Sequence, residues 1–154
     1  MEVRELEELA KMEEKYAAEL KQLANIIKHP VLRSLFESIA KDSEKHALMY
    51  RSVVEVVKAT QPFISEEDLR KITESIDQHI QTELKMLNKA QSIANATNDP
   101  RVKLLISAIA DDEARHHKLL LNIKEKIAKP ETLTEDLLWQ MIWKDSPWHG
   151  TPGG

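Results

Sequence analysis

Residues 30–47 read PVLRSLFESIAKDSEKHA, and residues 100–117 read PRVKLLISAIADDEARHH, 70 positions further along the same 154-residue chain. Both stretches begin with Pro, which suits the first turn of a helix, and both place a His 16 residues later. An internal repeat of this kind predicts two similar helical hairpins in one chain. One position breaks the match, because Ser43 stands where the second copy has Glu113.

The residues that repeat include metal-ligand types as well as core residues. Glu13 falls on Glu83, and His46 falls on His116, when the chain is shifted by 70 positions. The chain has no Cys, which excludes disulfides and thiolate metal sites. Any metal ion must therefore be held by carboxylates and imidazoles, for which the repeated Glu and His residues are candidates.

The composition predicts a single all-α domain. Hydrophobic residues make up 42% and charged residues 31% of the chain, which suits a soluble protein with a sizeable core. Only 3 Gly and 6 Pro are present, so long helices can run without interruption. We expect a four-helix bundle over residues 1–129, made of helical hairpins at about residues 1–60 and 65–129.

Charge and hydropathy exclude two classes of partner. A formal net charge of −4 gives no basic surface for nucleic acid. No apolar run approaches the roughly 20 residues that a membrane-spanning helix needs, and the charged start MEVRELEELA does not resemble a signal peptide. These features predict a cytoplasmic protein that binds neither nucleic acid nor membrane.

Hydrophobic periodicity and capping residues predict four long helices. The first covers about residues 2–28, and the second begins at Pro30. Ser65 followed by three acidic residues predicts the start of the third helix, and Asp99-Pro100 predicts the start of the fourth. Several residues of metal-ligand type or small polar type interrupt the apolar stripes of these helices. They are Glu13, Ser43, His46, His79, Glu83, Glu113 and His116.

Counting along the helices places these candidates at one height. Glu13 lies 15 residues before Lys28, and His46 lies 16 residues after Pro30, so an antiparallel hairpin sets them level. The same distances from the turn recur in the second repeat. Carboxylates in an aliphatic stripe would cost on the order of several kcal/mol each to desolvate, and no Lys or Arg shares these stripes. A bound cation is the simplest compensation.

The doubled pattern resembles the rubrerythrin-like branch of the ferritin-like superfamily over about residues 6–125. The motifs that carry the resemblance within the repeated frame are Met12-Glu13, the Asp99-Pro100 turn, Phe36-x-x-Ile39-Ala40 and Glu113-x-x-His116. In that family, each hairpin gives one Glu from its first helix and a Glu-x-x-His pair from its second, and these residues bind two iron ions. The resemblance therefore implies a ferritin-like bundle with a carboxylate and histidine metal site.

The resemblance implies five ligands at matching positions, and these are Glu13, His46, Glu83, Glu113 and His116. The sixth position, a bridging carboxylate in the family, is Ser43. That departure predicts a lopsided site for one or two ions, with iron expected and manganese or zinc as alternatives. Ser43 and His79 are further ligand candidates. His79 lies one turn before Glu83, where it is either a ligand or a hydrogen-bond partner of one.

Simpler interpretations of the same residues stay open. A His in a helix stripe can be a hydrogen-bonded core residue, and a Glu at the edge of a stripe can extend to solvent. For the whole protein, the resemblance implies an oxidoreductase of the ferroxidase or peroxidase type, which acts on O2, peroxide or ferrous iron. The alternatives are a non-enzymatic ferritin-like binding or assembly module with a degenerate metal site, or an iron-storage subunit.

The source of electrons is also open. Rubrerythrins carry a Cys-rich rubredoxin module for electron delivery, and this Cys-free chain lacks it. The resemblance therefore implies that electrons come from a separate donor or from ferrous iron itself.

Residues 130–154 have no counterpart in the repeat. Thr134 followed by two acidic residues predicts a short helix through Lys144, with all three Trp residues of the chain nearby. A segment this apolar is expected either to cover the end of its own bundle or to pack on a second subunit in a homodimer.

Overall fold

The described part of the chain consists of helices. The computed structural model describes residues 2–58 and 64–127, which form four α-helices and no strand. The helices are α1 Val3–Ile26, α2 Pro30–Lys58, α3 Glu66–Ala96 and α4 Pro100–Ile127. The all-α class predicted from the sequence is therefore confirmed.

The chain divides into two compact units. The first unit holds α1 and α2, and the second holds α3 and α4, so the division falls between the two predicted repeats. Within each unit the two helices pack as a hairpin. Residues 130–154, for which the sequence predicts a Trp-rich helical segment, lie outside the described residues. Among the described helices, none combines the length and the apolar character needed to cross a bilayer.

Local sequence signals set the helix starts. The side-chain oxygen of Ser65 accepts a hydrogen bond from the backbone N–H of Asp68 at 3.1 Å, which caps α3. Before α4, the Arg101 side chain and backbone N–H both donate hydrogen bonds to Asp99, and they hold the pKa of Asp99 well below its usual range. The predicted starts of α3 and α4 are therefore confirmed.

Small residues make up much of the buried face between α1 and α2. Ala10, Ala17 and Ala24 follow one another at seven-residue intervals on α1 and are buried, as are Ala40 and Ala47 on α2. Seven residues make about two helical turns, so the α1 alanines form one stripe. The distance between packed helix axes depends on the side chains at the contact, so alanines allow this hairpin to close tightly.

Each hairpin has a second apolar face beside the one that its helices share. Tyr16 and Ile39 in the first hairpin are 50% and 44% exposed, and Ile93 and Ile109 in the second are 50% and 47% exposed. The apolar arc of these helices is wider than the face that one neighbouring helix covers. The contact within each hairpin therefore covers only part of the apolar stripes that the periodicity predicts.

At two repeat positions the second hairpin carries larger side chains than the first. The repeat places Ile80 and His117 of the second hairpin where the first has Ala10 and Ala47. Ile80 is buried, and the Nδ1 atom of His117 lies 3.3 Å from the backbone oxygen of Ile80. Bulkier contact residues are expected to hold helix axes further apart, which leaves space for long polar side chains between them.

Exposed ion pairs also join the helices of each hairpin. Arg51 of α2 pairs with Glu14 of α1 at 2.5 Å, and Lys124 of α4 pairs with Asp77 of α3 at 2.6 Å. Exposed pairs of this kind contribute up to about 1 kcal/mol each. They therefore help to fix the register of each hairpin more than its overall stability.

Candidate metal centre

Three predicted ligands come together in the second hairpin. Glu83 lies on α3, while Glu113 and His116 lie one turn apart on α4. One ligand atom from each of these side chains lies within 4.8 Å of the other two. Within residues 2–58 and 64–127, no other His, Asp and Glu side chains form such a group of three. We call these residues the carboxylate–histidine group.

The separations between His116 and the two carboxylates suit a shared cation better than direct hydrogen bonds. The Nδ1 atom of His116 lies 3.7 Å from Oε2 of Glu83 and 3.8 Å from Oε2 of Glu113. Hydrogen bonds between nitrogen and oxygen are about 2.7–3.2 Å long. Two atoms that are each about 2.1 Å from one ion, at a tetrahedral angle, are roughly 3.4 Å apart. A small inward shift of the side chains would therefore allow all three to reach one ion.

Two carboxylate oxygens of the group have no hydrogen-bond partner. They are Oε2 of Glu83 and Oε2 of Glu113, and both atoms are buried. Two ionised carboxylates cannot donate hydrogen bonds to each other, whereas a protonated carboxyl can donate one. Hydrogen bonding to Glu83 raises the pKa of Glu113 above its usual value, and burial adds to the rise. Either a proton or a cation at this position would compensate the two carboxylates.

The group is open to solvent on its imidazole side. The side chain of His116 is 47% exposed, whereas those of Glu83 and Glu113 are 20% and 17% exposed. The carboxylates therefore form the inner part of the group and the imidazole forms its rim. An ion or a small molecule can approach from the rim without unfolding the hairpin.

The first hairpin brings together two of its predicted ligands. Oε1 of Glu13 lies 3.4 Å from Nδ1 of His46. Ser43, which occupies the place of Glu113 in the repeat, is 5% exposed and belongs to the buried side of α2 together with the alanines. The first hairpin thus offers one carboxylate and one imidazole where the second offers two carboxylates and one imidazole.

Two further histidines have different surroundings. His79 is exposed on α3 and does not belong to the carboxylate–histidine group. His117 was not selected from the sequence, yet it is partly buried and its Nδ1 lies within hydrogen-bonding distance of the Ile80 carbonyl. The sequence does distinguish His117, because the repeat places it where the first hairpin has Ala47. A polar residue in the place of a contact alanine needs a hydrogen-bond partner in the second hairpin.

No protein-family model matches the chain, and neither a curated protein nor a solved structure matches it significantly. The resemblance to rubrerythrin-like proteins therefore depends on the repeated residues themselves. The geometry of the carboxylate–histidine group has to support any functional interpretation.

Proposed function

We propose that this chain is a metal-binding oxidoreductase, and that its carboxylate–histidine group holds a divalent transition-metal ion. The observation that carries the proposal is the pair of buried Oε2 atoms of Glu83 and Glu113, without hydrogen-bond partners, beside the imidazole of His116. Within the described residues, the only ion-pair partner of either carboxylate is His116. Buried carboxylates are costly unless a proton or a cation compensates them, and a metal ion would do so here.

We infer iron from the resemblance to rubrerythrin-like proteins, with manganese or zinc as alternatives. Carboxylate oxygens and imidazole nitrogens suit all three metals, and the chain has no thiolate to offer. Three protein ligands leave coordination positions open for water or a small substrate. A bound redox-active ion would supply electron transfer to O2 or peroxide, or from ferrous iron. The two carboxylates would favour the more highly charged state of such an ion.

The proposal includes the ferritin-like arrangement that the resemblance implies. The first hairpin has its own pair of ligand candidates, Glu13 and His46, and the separation of 3.4 Å between Oε1 of Glu13 and Nδ1 of His46 supports a role in holding an ion. Ser43 removes the second bridging carboxylate. A second ion would therefore be bound more weakly than the first, and electrons would come from a separate donor or from ferrous iron.

A second candidate function is a non-enzymatic ferritin-like module with a degenerate metal site. The observation in its favour is the burial of Ser43, which shows that the first hairpin accommodates a small residue where a ligand would be needed. Under this alternative a proton rather than a cation compensates Glu83 and Glu113, and the carboxylate–histidine group binds no metal.

Metal content and turnover would separate the two candidates. We would purify the protein from cells supplemented with iron and manganese, measure its metals by plasma mass spectrometry, and follow the oxidation of added ferrous iron. Glu113→Gln keeps the shape of the side chain and removes its charge. The matched control is Glu74→Gln, because Glu74 lies on α3 of the same hairpin, is 61% exposed and forms an ion pair with Arg70 one turn away.

We expect bound metal and ferrous iron oxidation in the wild-type protein and in Glu74→Gln, and a loss of both in Glu113→Gln. Less than about 0.2 metal ion per chain, with no difference between the variants, would contradict the redox proposal and favour the non-enzymatic module. Metal binding without any turnover of ferrous iron or peroxide would contradict the enzymatic part alone.

A further inference from the structure

A buried polar residue lies on the side of α4 that points away from α3. Asn122 is 8% exposed. Glu113 lies close to Glu83 of α3 and therefore marks the side of α4 that faces α3. Asn122 lies nine residues after Glu113. Each residue rotates the helix by about 100°, so nine residues correspond to about two and a half turns. Asn122 therefore lies on the opposite side of α4 from Glu113. The packing of α3 against α4 therefore does not account for the burial of Asn122.

The neighbours of Asn122 on the same side of α4 are covered as well. Leu119 lies three residues before Asn122 and Lys126 lies four residues after it, so all three share one stripe of α4. Leu119 and Lys126 are both partly buried. Asn122 and Lys126 each have an interaction partner. One turn before this stripe, Arg115 is exposed. The covered region, which we call the outer stripe, is therefore limited to the last two to three turns of α4.

The chain itself offers a segment that fits the outer stripe. The description ends at Ile127, one residue after the stripe, and 27 residues follow. Residues 128–133 can span up to about 20 Å when extended, whereas the way back from Ile127 to Leu119 is about 12 Å along the helix. The segment beyond this linker carries an apolar set that needs cover, and its members are Leu137, Leu138, Trp139, Met141, Ile142 and Trp143.

We propose that residues 134–148 dock on the outer stripe of α4, with Asn122 as the polar anchor of the contact. A buried Asn side chain offers two N–H donors and one carbonyl acceptor, and buried polar groups of this kind are hydrogen-bonded in folded proteins. Leu119 supplies the apolar part of the stripe. Lys126 complements Glu135 and Asp136, which begin the predicted helix of the segment.

Tryptophan fluorescence tests this contact directly, because all three Trp residues of the chain lie in the segment, at positions 139, 143 and 148. Asn122→Arg places a long charged side chain in the covered position. The matched control is Asn95→Arg, since Asn95 is exposed on α3 of the same hairpin. We expect Asn122→Arg to shift the Trp emission to longer wavelength and to increase its quenching by iodide at least twofold, and we expect the control to behave as the wild type.

If circular dichroism shows that Asn122→Arg does not fold, a disulfide cross-link tests the same contact. The chain has no Cys, so the pair Leu119→Cys and Met141→Cys introduces the only two thiols. We expect an intramolecular disulfide that leaves the protein monomeric on a non-reducing gel. Only intermolecular cross-links, or Trp emission that depends on protein concentration, would show that a second copy covers the stripe and would overturn the proposal. Fully exposed Trp residues in the wild type would overturn it too.

Discussion

The Oε2 atoms of Glu83 and Glu113 come from two helices of one hairpin, and both are buried without a hydrogen-bond partner. One ligand atom of His116 lies within 4.8 Å of ligand atoms of both residues. Two like charges this close are unstable together in a partly dry environment. A proton and a cation are the two species that can relieve the repulsion, and competition between them predicts how the protein responds to pH and to metal.

The metal-free protein is expected to lose part of its stability as pH rises from mildly acidic to neutral. The pKa of Glu113 is raised in the folded state, so the folded protein holds this proton more tightly than the unfolded chain does. The resulting contribution to stability is complete below the usual carboxyl range and is lost as pH rises through the raised pKa. Urea unfolding at a series of pH values, with chelator present, measures it.

Comparison with Glu113→Gln isolates this contribution from other carboxylates. Glu7 and Asp99 have lowered pKa values and give stability with the opposite dependence on pH. We expect Glu113→Gln to be more stable than the wild type at neutral pH by about 1 kcal/mol, and the advantage should shrink as the pH falls. A constant difference between the two proteins across the pH range would contradict the prediction.

Metal should reverse the effect of the two carboxylates on stability. An ion that binds only the folded state stabilises it by about 2.7 kcal/mol at a free concentration of 100 times Kd. We expect added manganese to raise the Tm of the wild type and to leave Glu83→Gln unchanged, because Glu83 provides one of the two inner carboxylates. The affinity should weaken at lower pH, where protons compete for the same oxygens. An equal rise in Tm for both proteins would show that the ion binds outside the carboxylate–histidine group.

The adjacent residues His116 and His117 should respond differently to the same substitution. His116 belongs to the carboxylate–histidine group, whereas His117 lies against the Ile80 carbonyl. We expect His116→Leu to abolish metal uptake with little change in the stability of the metal-free protein. His117→Leu should cost about 1 kcal/mol through the lost hydrogen bond and retain metal uptake. Isothermal titration and urea unfolding of both variants would test this, and a loss of metal in His117→Leu alone would reverse the assignment.

Restoring the missing carboxylate in the first hairpin should not restore a second site. Ser43 is buried on the side of α2 that also buries Ala40 and Ala47. A Glu there would be both too large and charged, and overpacking alone costs about 1–3 kcal/mol. We expect Ser43→Glu to destabilise the protein and to leave its metal content unchanged, while Ser43→Ala stays close to the wild type. Thermal unfolding and metal analysis of both variants test this prediction. A doubled metal content in Ser43→Glu would contradict the tight packing around Ser43.

Much of the candidate site follows from counting residues along helices. The repeat, the caps at Ser65 and Asp99 and the one-turn spacing of Glu113 and His116 are local properties, which depend on a few neighbouring residues. The antiparallel hairpin then brings Glu83 to the same height, as the equal distances from the turn predict. Helical geometry is regular enough for these steps to need no knowledge of packing.

The tertiary structure decided which side of each helix is covered and by what. Sequence periodicity marks an apolar arc, but the part of the arc that a neighbour buries depends on how closely two helix axes approach. That approach is set jointly by residues far apart in sequence, such as Ala10 and Ala47 in one hairpin and Ile80 and His117 in the other. The sequence by itself therefore determined which residues could hold a metal ion. Only the packing decided that the second hairpin assembles three of them, while the first buries Ser43 in the position of the third.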